Sequence, residues 1–255
     1  MNRNEILNAI LKKHPKIHCL TNPVTMNDVA NILLAAGGSA VMAQDEQEAA
    51  EITTFCQGTL LNTGVPDESK IRACILAGKR ANQLGHPVIL DPVGAGGSSF
   101  RQRELKKLLE QVHPSIVRCN QEEAAVLFPF RKRNSFFTRR CGKQSSYGLT
   151  KSGITCNESR PSLSLYLFYH GRNRYCFRRH TDSSSKRRRF QTLQDHRRRM
   201  YAFCTFEAAA TAGQIWKEIS EEAGTRIDQN GGGIGQFHAL LMDMAEEKIY
   251  FANRL

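Results

Sequence analysis

The run Val-Ile-Leu-Asp-Pro-Val-Gly-Ala-Gly-Gly occupies residues 88–97 and sets the pattern for much of the chain. Its three leading apolar residues are typical of a short strand buried on both faces of a parallel sheet. The strand is predicted to end at Asp91, before a proline and three glycines. In open α/β sheets, ligands bind where the carboxyl ends of strands meet helix N-termini. Glycines there let backbone N–H groups approach a phosphate, and Asp91 is suited to hold a metal ion or orient a hydroxyl. An ordinary strand-to-helix turn is the alternative interpretation.

The same alternation of short apolar runs and helical periods continues on both sides of this stretch. Strands are predicted over residues 17–20, 39–42, 59–62, 88–90 and 115–118. Helices are predicted over residues 5–13, 25–36, 45–53, 67–84, 101–112 and 124–128. At the second of these, Thr25 and Asp28 have the spacing of a capping box. Strands that alternate with helices in this way predict a three-layer α/β/α fold with a mostly parallel central sheet. The length of 255 residues suits one domain, residues 1–255.

Polar or glycine residues follow several of these strands. Asn22, Gly64, Asp91 and the pair Arg118 and Glu123 would line one rim of a parallel sheet, because the carboxyl ends of its strands meet there. Phosphoryl transfer needs a metal-binding carboxylate, a cation and exposed amides at such a rim. Each residue also has an ordinary structural interpretation: Asn22 satisfies a turn, and Arg118 is a solvated strand end.

Five segments, in order, resemble the hydroxyethylthiazole kinase family. They are Thr21-Asn22-Pro23-Val24-Thr25-Met26-Asn27, Gly38-Ser39-Ala40-Val41-Met42, Asn62-Thr63-Gly64, Asp91-Pro92-Val93-Gly94-Ala95-Gly96 and Arg118-Cys119-Asn120-Gln121-Glu122-Glu123. The last is similar to the family's Arg-Gly-Asn-x-x-Glu, with cysteine in place of glycine. The resemblance covers residues 1–128 and resumes over about 207–255.

The resemblance implies a ribokinase-like fold, a homotrimer, and transfer of phosphate from ATP to the hydroxyl of 4-methyl-5-(2-hydroxyethyl)thiazole in thiamine salvage. Mg²⁺ is the implied cofactor. Asp91 and Glu123 would be catalytic and would hold the metal. The residues implied to contact the thiazole are Asn22, Val24, Met42 and Gly64, and those implied to contact the nucleotide are Arg118 and Asn120. An alternative for Met42 is that it fills the core.

Composition suggests a location and excludes some classes of protein. We find no run of about 18 apolar residues and no signal peptide, so no membrane span is expected. The eight cysteines show neither C-x-x-C pairs nor metal-type spacing with histidine. They are expected to be reduced thiols of a cytoplasmic protein.

The net charge of +12 comes from one block, Arg131–Arg199, which holds 19 of the 36 Lys and Arg residues and only three of the 24 acids. This block shows no sustained period and few apolar runs, except a candidate strand over 163–169. We expect residues 131–199 to be mostly irregular and the protein to aggregate readily. One interpretation is a basic nucleic-acid-binding arm at Arg178–Arg199. Another is a catalytically dead subunit, since the family's Thr-Gly-x-Gly-Cys loop is absent.

The genetic code offers a third interpretation of the block. Read one base later, the codons of Met200-Tyr201 must encode cysteine, and those of His196–Arg199 permit Thr-Gly-Ala-Gly. Residues 170–175 and 135–140 permit further family-like segments in the same frame. We therefore infer a paired frameshift over roughly 130–205, either in the gene or in the reading of its bases, which impairs the kinase. This hypothesis explains the arginines without a nucleic-acid partner, so nucleic acid is not the expected ligand.

Overall fold

A computed structural model describes residues 3–127, 166–169 and 192–249. The strands are β1 (Lys16–Leu20), β2 (Ser39–Val41), β3 (Gly58–Asn62), β4 (Val88–Asp91), β5 (Ile116–Cys119) and β6 (Tyr166–Tyr169). The helices are α1 (Arg3–Lys13), α2 (Met26–Ala35), α3 (Ala49–Phe55), α4 (Glu68–Leu84), α5 (Ser99–Gln111), α6 (Gln121–Leu127), α7 (Thr192–Asn230) and α8 (Ile234–Ile249).

The six described strands form one sheet in the order β2-β1-β3-β4-β5-β6, with every neighbouring pair parallel. The predicted parallel α/β fold is therefore confirmed. The chain first steps from β1 to β2 and then returns to the other side of β1. Because parallel crossovers are right-handed, this reversal places α2 on the opposite face of the sheet from α3, α4 and α5. The reversal also makes the gap between the ends of β1 and β3 the topological switch point, where ligands of such sheets bind.

Two apolar clusters hold the layers together. The larger joins the sheet to α4 and α5 and includes Leu61, Leu90, Leu108 and Val117, each at most 1% exposed. The smaller joins α7 and α8 to α1 and α2. Burying a side chain such as Leu61 or Leu90 stabilises the fold by about 1.5–3 kcal/mol. No helix in the described ranges is long and apolar enough to cross a membrane.

Helix α4 shows how the sequence fixes element ends. The side chain of Asp67 accepts a hydrogen bond from the Lys70 N–H at 2.8 Å and so caps the N-terminus, as the sequence predicts. At the other end Gly85 has a φ of 72°, a left-handed conformation that favours glycine. The helix that carries Lys70 is thus fixed just after the β3 strand end.

The structure confirms one predicted helix start and corrects another. Helix α2 begins after Thr25 as predicted, but the Thr25 hydroxyl makes no capping bond, because it pairs with the Thr21 hydroxyl at 2.9 Å. The helix predicted from Asp45 begins only at Ala49, because Asp45 accepts a hydrogen bond from the Gln47 N–H at 2.8 Å and forms a turn. At Asp45 this local side-chain bond competes with helix formation.

Within the block 131–199 the structure describes a strand, β6, and the first eight residues of α7. The strand lies inside the predicted segment 163–169. Residues 192–199 are helical where an irregular chain was expected. Extending a helix needs no new nucleus, and leucine, glutamine and arginine have good helix propensity. The remainder of the predicted irregular block, including Arg178–Arg189, lies outside the described residues.

Two helical glycines give a matched test of packing. A Cβ added to Gly78 in α4 would lie 2.6 Å from Val112 Cγ1, whereas one added to Gly224 in α7 would meet no atom within 4 Å. We expect Gly78→Ala to lower the free energy of unfolding by about 1–3 kcal/mol through overpacking. Gly224→Ala should raise it by about 0.5–1 kcal/mol, because alanine is the better helix former. Urea denaturation of both variants checks this, and equal shifts would contradict the packing described here.

Candidate active site

A chain of hydrogen bonds runs across the carboxyl ends of β1, β3, β4 and β5. Asn22 Nδ2 donates to Asn62 Oδ1 at 3.0 Å, and Asn62 Nδ2 donates to Asp91 Oδ2 at 2.8 Å. Arg118 then donates through Nη1 to both Asp91 oxygens at 3.2 and 3.1 Å. Three of the predicted site residues, Asn22, Asp91 and Arg118, are therefore brought together, with Asn62 between them.

Opposing interactions act on the charge of the Asp91 carboxylate. Burial raises its pKa above the ordinary value, Arg118 and the Asn62 amide act to lower it, and the negative charge of Glu123 raises it again. The Asp91 side chain is 13% exposed and that of Arg118 49% exposed, so water screens the ion pair from one side. A buried carboxylate with a raised pKa accepts a proton more readily than an exposed one.

Glu123 and Asn120 form a reciprocal capping box at the start of α6. The Glu123 N–H donates to Asn120 Oδ1, and the Asn120 N–H donates to Glu123 Oε2, both at 2.9 Å. Glu123 Oε1 accepts from the N–H of Gly94 at 2.9 Å, and Gly94 has a φ of 65°. Glu123 thus ties the glycine-rich turn after β4 to the end of β5. Its two oxygens are occupied by backbone donors, one each.

Asn22 and Asn62 also hold the loops that carry Val24 and Gly64. The Val24 N–H donates to Asn22 Oδ1 at 3.0 Å, and the Gly64 N–H donates to Asn62 Oδ1 at 2.8 Å. Val24 is 80% exposed. A Cβ at Gly64 would lie 2.8 Å from Asn22 Nδ2, so a larger residue there would displace the Asn22 amide.

Met42 stands beside this network rather than within it. It follows β2 at the edge of the sheet, next to β1, and is half-buried. The adjacent Ala43 carbonyl accepts a hydrogen bond from His18 Nε2 at 2.7 Å. His18 is fully buried, and its Nδ1 lies 2.9 Å from the Thr53 hydroxyl. Because a carbonyl only accepts, the neutral ring is protonated at Nε2, and it fixes the loop on which Met42 lies.

Three residues at this edge were not assigned roles by the sequence analysis. Asn62 lies in a segment that resembles the family, but it had no predicted role of its own. An asparagine at the end of a strand indicates that its amide can bridge neighbouring strand ends. Lys70 is 6% exposed, its Nζ donates to the Gly64 carbonyl at 2.6 Å, and burial lowers its pKa. Arg101 Nη1 donates to the Val93 carbonyl at 3.1 Å. Both cations act from helices on backbone carbonyls, a contact that sequence spacing does not reveal.

The candidate ligands for a metal ion at this edge are the carboxylates of Asp91 and Glu123, both of which have hydrogen-bond partners in the protein. In the described ranges no group of three or more His, Cys, Asp or Glu residues is arranged to hold a metal. Mg²⁺ commonly binds through one or two carboxylates together with substrate phosphates and water. Asp91 and Glu123 supply two carboxylates, and Asp91 Oδ1 has Arg118 as its described partner.

The fold and these contacts define an α/β protein with a polar candidate site along the carboxyl edge of a parallel sheet. The sequence model of the hydroxyethylthiazole kinase family matches residues 7–134. The chain belongs to the hydroxyethylthiazole kinase family. Every candidate residue described above lies within the matched range.

Individual relatives show the same partial match. The hydroxyethylthiazole kinase of Clostridium acetobutylicum is 49% identical over 123 residues, which cover 48% of this chain and 45% of that protein. The hydroxyethylthiazole kinase of Clostridium beijerinckii is 48% identical over 118 residues, 46% of this chain and 43% of that protein. The chain therefore spans about half the length of the curated relatives that it matches.

A solved structure extends the likeness of the fold. The structure of a hydroxyethylthiazole kinase protein from Pyrococcus horikoshii superimposes with a TM-score of 0.64, over 96% of this chain and 92% of that one. At 23% identity this likeness shows the fold alone. The parallel sheet with helices on both faces is thus shared with that protein.

His18 gives a prediction with a defined pH window. Burial lowers its pKa below the ordinary value of about 6.5, so the unfolded chain takes up the proton first as the pH falls. The stability that His18 contributes is complete above about pH 6.5 and is lost as the pH falls towards the folded pKa. We expect His18→Gln to be less stable than the wild type by about 1–3 kcal/mol at pH 8, with the gap narrowing below pH 6.5. Urea denaturation from pH 8 to 5 measures this, and a constant gap would show that His18 does not titrate on unfolding.

Proposed function

We propose that this chain is an ATP-dependent kinase for the hydroxyl of 4-methyl-5-(2-hydroxyethyl)thiazole, and that its turnover is impaired. The family match over residues 7–134 carries the proposal. The hydrogen-bonded row from Asn22 to Arg118 supports it. This row connects the loop after β1, which would bind the alcohol, to the charged pair Asp91 and Arg118, which would face the phosphates. Thiamine salvage is the process in which this reaction would serve.

Each predicted residue has a role in this proposal. Asn22, Val24, Met42 and Gly64 would contact the thiazole. Asp91 would accept the hydroxyl proton as the alcohol oxygen forms a bond to the γ-phosphorus and the bond to ADP breaks. Arg118 would offset phosphate charge, and Asn120 and Glu123 would keep the strand end and the glycine turn in register.

Magnesium would be held by Asp91 and Glu123 together with the nucleotide phosphates. When bound it supplies a positive charge to the β and γ phosphates. In the turn after β4 the N–H of Gly94 donates to Glu123 Oε1, and those of Ala95 and Gly97 donate to carbonyls of the turn itself. Glu123 would then exchange a backbone donor for the ion, or reach it through water. A homotrimer and a cytoplasmic location belong to the same proposal.

The proposed loss of turnover follows from where the hypothesised frameshift lies, at roughly 130–205. The family's glycine-rich loop is absent from the written chain, and loss of an anion hole costs roughly 10²–10³ in rate. The alcohol-side residues lie before residue 65 and keep their contacts. We therefore propose that the chain retains binding of the thiazole alcohol while it lacks turnover. The alternative role for Arg178–Arg199 as a nucleic-acid arm concerns residues that lie mostly outside the described ranges.

Turnover is the first test. Purified full-length protein should show no thiazole-dependent consumption of ATP above background, measured by coupled ADP release. A chain in which one inserted and one deleted base restore the frame over about 130–205 should phosphorylate the alcohol. Turnover of the written chain within tenfold of the restored one would contradict the impairment. A restored chain without activity towards the alcohol would contradict the proposed reaction.

Asp91 is the second test. In the frame-restored chain, Asp91→Asn should lower kcat by about 10²–10⁴, because the proton acceptor is lost, and should change alcohol binding far less. Asp67→Asn is the matched control, since it removes one carboxylate charge at a helix cap that asparagine serves equally well. Steady-state kinetics and calorimetric titration measure both variants. Equal kcat in the two variants would return Asp91 to a purely structural role.

A further inference from the structure

Asn62 is the residue on which the candidate site converges. It ends β3, between the ends of β1 and β4, and is 5% exposed. In the β3–β4 ladder it stands directly opposite Asp91. Its single amide contacts the loops after β1 and β3 and the last residue of β4.

The partners of Asn62 determine the orientation of its amide. The ionised carboxylate of Asp91 can only accept hydrogen bonds. The Asn62 atom that lies 2.8 Å from Asp91 Oδ2 is therefore the donor, Nδ2. The Gly64 N–H can only donate to Oδ1, at 2.8 Å, and Asn22 Nδ2 donates to the same oxygen at 3.0 Å. The reversed amide would set N–H groups against each other at Gly64 and Asn22. Asparagine is therefore the residue whose length and polarity serve all three neighbours.

We propose that Asn62 is a positioning residue for phosphoryl transfer, which holds the alcohol-binding loops at Asn22 and Gly64 in register with Asp91. This inference rests on the proposed function. The residues proposed to bind the alcohol lie in the loops after β1 and β3, whereas the proposed proton acceptor, Asp91, is the last residue of β4. A misplacement of about 1 Å between the alcohol and Asp91 would cost on the order of 10² in rate. Buried hydrogen bonds at a strand end set that distance without touching the reacting atoms.

The experiment measures the affinity of the full-length chain for 4-methyl-5-(2-hydroxyethyl)thiazole by calorimetric titration. Asn62→Leu has nearly the same volume and removes all three hydrogen bonds, so affinity should fall at least tenfold. Asn62→Asp keeps the acceptors for Asn22 and Gly64 but sets two carboxylates against each other. It should weaken binding at least fivefold, because the anchor on Asp91 is lost.

A background variant separates positioning from general destabilisation. In an Asn22→Ala chain, Asn62→Leu should cost less than threefold, because residues that act through one another are not additive. Asn82→Asp is the matched control. Asn82 likewise donates through Nδ2, to the His113 carbonyl at 2.9 Å, and accepts through Oδ1, from the His113 N–H at 2.7 Å. It lies at the opposite end of the sheet, and its variant should lose stability without losing affinity.

Each outcome decides between the claims. If the wild-type chain does not bind the alcohol, the proposed function fails and this inference falls with it. If the wild type binds and Asn62→Leu binds equally well, or if the two effects add fully in the Asn22→Ala background, the positioning role alone is wrong. Wild-type affinity in Asn62→Asp would overturn the link to Asp91. Loss of affinity in Asn82→Asp would show that lost stability suffices, which also overturns the inference.

Discussion

The amide of Asn62 can face only one way, and the candidate site depends on that restriction. Its donor and its acceptor reach different strands because β3 lies between β1 and β4 in the sheet. Had the chain placed β2 beside β3, Asn22 would lie one strand further away and could not reach Asn62. The reversal in strand order therefore brings the loops after β1 and β3 side by side. A single buried side chain then keeps them at a fixed distance.

Charge at this edge is balanced across elements rather than within them. Burial acts against the Asp91 carboxylate, and the partners that favour its charged form come from β3 and β5. Lys70 and Arg101 donate hydrogen bonds from helices α4 and α5 to carbonyls of the loops that follow β3 and β4. These two hydrogen bonds fix the backbone of both loops.

Much of this could be predicted from the sequence, and the remainder has physical causes. The strand ends at Asn22, Gly64, Asp91 and Arg118 could be predicted because apolar runs stop there, and a parallel sheet must gather them. The bond from Asp91 to Asn62 depends on ladder register, which no local pattern encodes. The helix start predicted at Asp45 was wrong because a side chain–backbone hydrogen bond there replaces the first helical turn. The irregular structure predicted for residues 192–199 was wrong because a helix that nucleates later in the chain can extend towards its N-terminus through a polar sequence.

The described contacts of the candidate site all lie in one part of the chain. Every hydrogen bond of the candidate site joins residues between 22 and 123, inside the family match. These bonds join the loops and ends of the first five strands, and the end of β5 pairs in turn with β6, where Arg118 stands opposite Phe168. Under the proposed function, a lesion confined to the later block would remove the glycine-rich loop and would leave the hydrogen bonds between residues 22 and 123 available for the alcohol.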